Sequence, residues 1–139
     1  MAYFTFTIST PLGTEKNEPQ VTNLKLSVGV IHRVHVVIPA GQKGVAHAQI
    51  LHHKTHIAPS NSQGDFHGDD IEIGYREFIP LTVNDTVLTV KTWNTSTLYP
   101  HSIILSFGVL PRWILLPFEI ASKISQGVKK LIGMEYEVK

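Results

Sequence analysis

Short runs in which apolar and polar residues alternate, broken by glycine, proline, asparagine and aspartate, fill the first 110 residues of this chain. Period-two alternation sends successive side chains to opposite faces of a pleated strand, so each run predicts a strand with one buried face. The runs are Tyr3–Ile8, Leu24–Val28, Val30–Ile38, Val45–His53, His56–Ala58, Ile71–Ile79, Val87–Trp93 and Ser102–Leu110. In the longest early run Val30, His32, Val34, Val36 and Ile38 share one face and Ile31, Arg33, His35 and Val37 the other. Gly29 reads as a bulge or tight bend before it. In the last run Ile103, Leu105, Phe107 and Val109 share the core face.

Turn signals separate the runs. Pro11 to Gln20, with two prolines, Gly13 and Asn17, reads as a loop or arm, and Pro39 to Gly44 as a turn. Pro59 to Asp70 is a long polar loop, and Asn94 to Pro100 a shorter one. Seven or eight strands in about 110 residues, with turns every 8–12, is the spacing of a sandwich or barrel. The expected fold is all-β: an antiparallel, jelly-roll-like β-sandwich with an extended N-terminal arm and one C-terminal α-helix. Periodicity alone does not separate it from an immunoglobulin-like sandwich. The expected divisions are an N-terminal strand and arm over 1–20, the sandwich over 21–111, and an amphipathic helix and tail over 112–139.

That last division rests on a change of period after Pro111. Ile114, Ala121 and Val128 lie seven apart, as do Pro117, Ile124 and Leu131, and the two series interleave at threes and fours. This is the a/d spacing of a helix–helix seam. Glu119, Ser122, Lys123, Ser125, Gln126, Lys129 and Lys130 fill the outer face, and Gly133 ends the pattern. The six apolar positions are the expected oligomer interface. The same stripe, about two and a half heptads long, could instead pack on its own sandwich. The mostly apolar run from Ile103 to Ile120 contains Pro111, Arg112, Pro117 and Glu119, which speaks against a membrane span.

At 139 residues the chain fits one domain with a sizeable core. Twelve basic and eleven acidic side chains leave a net charge of +1, which gives no electrostatic footprint for nucleic acid. The absence of cysteine removes disulfides, thiolate catalysis and thiolate zinc sites together. The start, Met-Ala-Tyr-Phe-Thr-Phe-Thr-Ile, alternates and does not read as a signal peptide, so synthesis and assembly in the cytoplasm are expected.

Eight histidines are the most conspicuous chemistry: His32, His35, His47, His52, His53, His56, His67 and His101. Within His47 to His56, a strand turns His47 and His53 one way and His52 the other, so the four do not converge without a bulge. They are expected to be surface or interface residues, with no metal and no cofactor. Asp65-Phe-His-Gly-Asp-Asp-Ile-Glu72 is the densest carboxylate cluster, and its aspartates are expected to bond local backbone amides in a turn. Ser60, Ser62 and Asn94-Thr-Ser-Thr97, with His101 and Asp69, lack a nucleophile elbow, so no catalytic residues are expected. Trp93 and Tyr99 flank the 94–100 loop and could stack on a sugar, which keeps a glycan as a possible partner.

Val21-Thr-Asn-Leu-Lys-Leu-Ser-Val-Gly-Val-Ile-His-Arg-Val-His-Val-Val-Ile-Pro-Ala-Gly-Gln-Lys-Gly44 resembles small structural proteins of tailed-phage virions. Gly68-Asp-Asp70 before a strand, Trp93-Asn94, Leu98-Tyr-Pro-His101, and Ser102 to Pro111 leading into a helix extend the resemblance. It covers roughly residues 20–115 as a pattern and carries no functional residues. It implies a decoration, minor capsid or tail-associated component, located in the virion and assembled in the host cytoplasm. Its partners would be copies of itself and other virion proteins, with neither nucleic acid nor membrane. Outward apolar positions at Ile31, Val37 and Leu51 would be covered by such partners. The alternatives are a carbohydrate- or receptor-binding sandwich and a metal-dependent enzyme with three converging ligands.

Overall fold

The computed structural model describes residues 2–61, 64–111 and 113. Eight strands form: β1 (Ala2–Thr10), β2 (Gln20–Lys25), β3 (Gly29–Ile38), β4 (Ala46–His52), β5 (Thr55–Ala58), β6 (Ile71–Leu81), β7 (Val87–Asn94) and β8 (His101–Leu110). Each contains or overlaps one of the alternating runs. Among the described residues there is no α-helix, and no helix is long and apolar enough to cross a membrane. The expected C-terminal helix and its seam, Ile114, Pro117, Ala121, Ile124, Val128 and Leu131, lie outside the described residues.

The strands make two antiparallel four-stranded sheets, ordered β1-β8-β3-β6 and β2-β7-β4-β5. The pairs β1·β8, β2·β7, β3·β6 and β4·β5 are those of one long ribbon doubled back at the β4–β5 turn. Wrapping the ribbon lays β8 on β3 and β7 on β4, which completes both sheets. The fold-back is a two-residue loop, His53-Lys54, with φ of 50° and 64°. Positive φ at both central residues is the type I′ geometry that matches strand twist.

Inward side chains of both sheets make one core. Ile8, Val34, Val36, Ile38, Ile103, Leu105, Phe107 and Val109 from the first meet Leu24, Ala46, Ala48, Ile50, Leu88 and Val90 from the second. The expected core face of β8 is therefore the observed one. β3 departs from simple alternation. Ile31 pairs with Val109 and Arg33 with Gly108, which leaves His32 as an extra residue in a bulge. The bulge turns Ile31 inward, fully buried in the core, and corrects its expected outward position. Val37 and Leu51, expected outward with it, are half-buried. His32 leaves the core face and lies over Gly108, where a Cβ would come within 2.8 Å of the imidazole.

β1 lies along β8 from Ala2 to Thr10, and residues 11–19 are held to the body rather than extended from it. Gly13 N–H donates to Ser96 O at 2.9 Å and Asn94 N–H to Thr14 O at 3.0 Å. The segment expected as an arm is thus a bound crossing between the two sheets.

Candidate functional site: a histidine–aspartate cluster beside β4

β4 sends Ala46, Ala48 and Ile50 into the core and His47, Gln49 and Leu51 to the outer face of its sheet. On one side His47 is in register with Trp93 of β7. Directly opposed residues of an antiparallel pair share a face, and here the imidazole and indole stack, 5.2 Å apart and 7° from parallel. On the other side of β4 the loop between β5 and β6 adds one rung. Phe66 N–H donates to Ala48 O at 2.8 Å, and Ala48 N–H donates back to Phe66 O at 3.0 Å.

That rung decides the geometry of the loop. Phe66 shares the face of Ala48 and is buried in the core, so its neighbours Asp65 and His67 turn to the outer face with His47 and Gln49. His67 then lies opposite His47, with ring centroids 5.0 Å apart. Gln49 Nε2 donates to Gly64 O at 2.9 Å and steadies the approach to Asp65. Asp65 Oδ1 accepts from His47 Nδ1 at 2.6 Å and from His67 Nδ1 at 2.7 Å. His47 and Asp65 are largely buried, and His67 is 55% exposed. Lys16 Nζ sits 5.6 Å from the Trp93 ring centre, within cation–π range.

Burial by itself would raise the Asp65 carboxyl. Hydrogen bonds and charge from His47 and His67 outweigh it and hold the group below its ordinary value of 3.8. A depressed carboxylate stabilises the fold fully above its unfolded value and loses that contribution as pH falls through the folded one. Asp65→Asn should therefore flatten the acid limb of stability. Denaturant midpoints measured from pH 5 downward should converge between wild type and variant as the pH falls below about 4. Parallel curves would mean that the carboxylate is not engaged.

A second cluster lies at the far end of β4. Asp85 Oδ1 accepts from His52 Nε2 at 2.8 Å and also from His53 Nε2. An irregularity between Ile50 and Leu51 and the left-handed His53 bring these adjacent histidines onto one oxygen. The four histidines of 47–56 do not converge: His47 joins Asp65, His52 and His53 join Asp85, and His56 Nε2 bonds Pro59 O. The spacing within 47–56 alone gives no hint of this, because each acid comes from a distant loop. The alternation Asp65-Phe66-His67, polar-apolar-polar, is the sequence signal for the extra rung.

Asp69 and Ser96 each bond backbone amides, and Ser62 lies outside the described residues. Asp69 Oδ1 accepts from the amides of Gly41 and Gln42, 2.7 and 3.1 Å away, so it caps the β3–β4 turn and not its own. Those amides, the Gly41 bond foremost, hold its carboxyl below the ordinary range. Ser96 Oγ accepts from the amides of Leu98 and Tyr99 within its loop. Trp93 is only 4% exposed beneath His47, so its ring is not an open sugar platform; Tyr99 is 65% exposed. No protein-family model, curated protein or solved structure matches this chain.

Proposed function

We propose that the chain is a non-catalytic virion structural protein that assembles as a homo-oligomer and binds other particle proteins. The observation that carries this reading is the strand order. A doubled ribbon of eight strands wrapped into β1-β8-β3-β6 and β2-β7-β4-β5 supports a jelly-roll plan, two Greek keys in two sheets. Jelly rolls serve widely as capsid and lectin domains, and the resemblance of residues 20–115 to tailed-phage structural proteins selects the first. Its place would be the virion, after assembly in the host cytoplasm.

Surface chemistry supports the same reading. Val21 and Val87 are exposed on the outer face of the β2–β7 pair, with Val83 exposed just before β7, and Leu98 and Tyr99 at the tip of the 94–100 loop. These are apolar contacts suited to burial against other subunits. The seam at Ile114, Pro117, Ala121, Ile124, Val128 and Leu131 would supply the self-association through a C-terminal helix.

Sedimentation or light scattering of the full chain at micromolar concentration tests the proposal, with a defined oligomer expected. If the expected seam forms, Ile124→Asp would put a carboxylate into it and should cost several kcal/mol per chain, dispersing the oligomer while β-type circular dichroism remains. Lys123→Asp, on the outer face, should change neither. A monomeric wild-type chain overturns the homo-oligomer. An oligomer indifferent to Ile124→Asp moves the interface from the seam to the sandwich.

A further inference from the structure

One ligand atom each of His47, Asp65 and His67 lies within 4.8 Å of the others on the outer face beside β4, and the hydrogen bonds join His47 Nδ1 and His67 Nδ1 to Asp65 Oδ1. We propose that these three atoms form a binding site for a divalent first-row metal ion, zinc foremost, with solvent completing the coordination. The inference is independent of the virion reading and would stand without it.

Four features point to an ion rather than to a hydrogen-bonded trio alone. Both histidines aim the same nitrogen at a single carboxylate oxygen, and each Nδ1 becomes a lone-pair donor once its proton moves to Nε2. A tetrahedral ion with ligands at about 2.0–2.2 Å holds its donor atoms about 3.3 Å apart. The present contacts of 2.6 and 2.7 Å would open by well under 1 Å to admit it. That opening is available because His67 is the exposed member of the three. The other two are fixed: Trp93 stacks on His47, and the Phe66 rung sets the backbone on both sides of Phe66.

The donor set selects the ion. Two imidazoles and one carboxylate suit zinc and its neighbours, whereas calcium and magnesium require oxygen shells. The exposed side of His67 leaves room for the fourth ligand, a water. The site would tie the β5–β6 loop to β4, closing a chain segment from residue 47 to residue 67. The His52, His53 and Asp85 group also places its donor atoms within 4.8 Å. It has no indole backing, and His53 is 66% exposed in a hairpin turn, so it serves as the control.

The test uses the tag-free full chain, stripped with a chelator, titrated with zinc chloride by calorimetry and followed by thermal unfolding. One equivalent should bind, and at zinc a hundredfold above Kd the Tm should rise by about 5–10 °C. His67→Ala, the least disruptive change, should weaken binding at least tenfold and remove that rise, as should Asp65→Asn. Asp85→Asn should leave both intact. Cobalt in place of zinc should give the intense visible bands of a tetrahedral site in the wild type and not in His67→Ala. A Tm insensitive to zinc means a hydrogen-bonded cluster only and overturns the proposal. So does binding that survives His67→Ala, or binding that is lost with Asp85→Asn.

Discussion

Truncating Phe107 to alanine should destabilise the protein by about 3–5 kcal/mol, read as a shift of the urea midpoint at unchanged slope. Phe107 is 1% exposed in β8, which is hydrogen-bonded to β1 on one side and β3 on the other. It stands opposite Phe4 and Val34 in the two ladders, and its ring meets Phe6 at 6.3 Å and 56°, a tilted aromatic contact. A strand pinned on both edges does not sink into the void, so the cavity persists and its cost adds to the lost transfer energy. Tyr3→Ala is the matched control. Tyr3 is 58% exposed and opposite Gly108, on the outer face of the same strand pair, and its loss should stay within about 0.5 kcal/mol. A small change at Phe107 together with a large one at Tyr3 would mean that β1 and β8 carry the opposite faces inward.

The strands were legible because burial on one face imposes a period that nothing else in a sequence mimics. From Ile103 to Val109 every second residue is apolar, and every one of those is buried. The same logic failed once, at Ile31. An inserted residue in one strand of a ladder reverses the faces beyond it, and His32 carries no local mark of being the insertion. Composition leaves loop and arm open over residues 11–20 for a related reason. Pro11, Gly13 and Asn17 announce turns, but a turn-rich segment that is free and one that is hydrogen-bonded across a sheet end have the same composition.

The cluster beside β4 was legible only in halves. Both halves, the histidines of 47–56 and the acids of 65–72, stood out as dense chemistry, yet their meeting depends on a single pair of hydrogen bonds between Ala48 and Phe66. A one-rung strand is too short for periodicity to detect, and the partner in such a rung is a tertiary fact. Asp69 shows the same limit. Its carboxylate does bond backbone amides, as turn aspartates do, but those of a turn 27 and 28 residues earlier.

Asn94, the residue at the end of β7, carries the second large expected effect. It is fully buried, and every polar group of its side chain is engaged. Nδ2 donates to Thr10 O at 3.3 Å and Tyr99 O at 3.0 Å, and Oδ1 accepts from the Ser96 amide at 3.0 Å. One amide thereby joins the end of β1 to the loop that displays Leu98 and Tyr99. An amide held this way is closed to glycosylation in the folded chain, although Asn94-Thr-Ser fits the acceptor pattern. Asn94→Ala removes this partner from two carbonyls and one amide N–H, and with about 1–3 kcal/mol for each group left unsatisfied it should cost about 2–4 kcal/mol once water reaches part of the site. Asn94→Asp separates hydrogen bonding from packing. The carboxylate keeps the Ser96 contact but faces two carbonyl oxygens, so its charged form is disfavoured and its folded pKa is raised. A raised carboxyl loses stability as pH climbs above its unfolded value, so this variant should be worst at pH 7 and recover toward wild type near pH 4. Asn94→Ala should track the wild-type pH profile at a constant deficit. Denaturant titrations of the three proteins at both pH values decide the matter: a deficit under about 1 kcal/mol for the alanine variant, or no recovery for the aspartate variant in acid, removes Asn94 as the tie between β1 and the 94–100 loop.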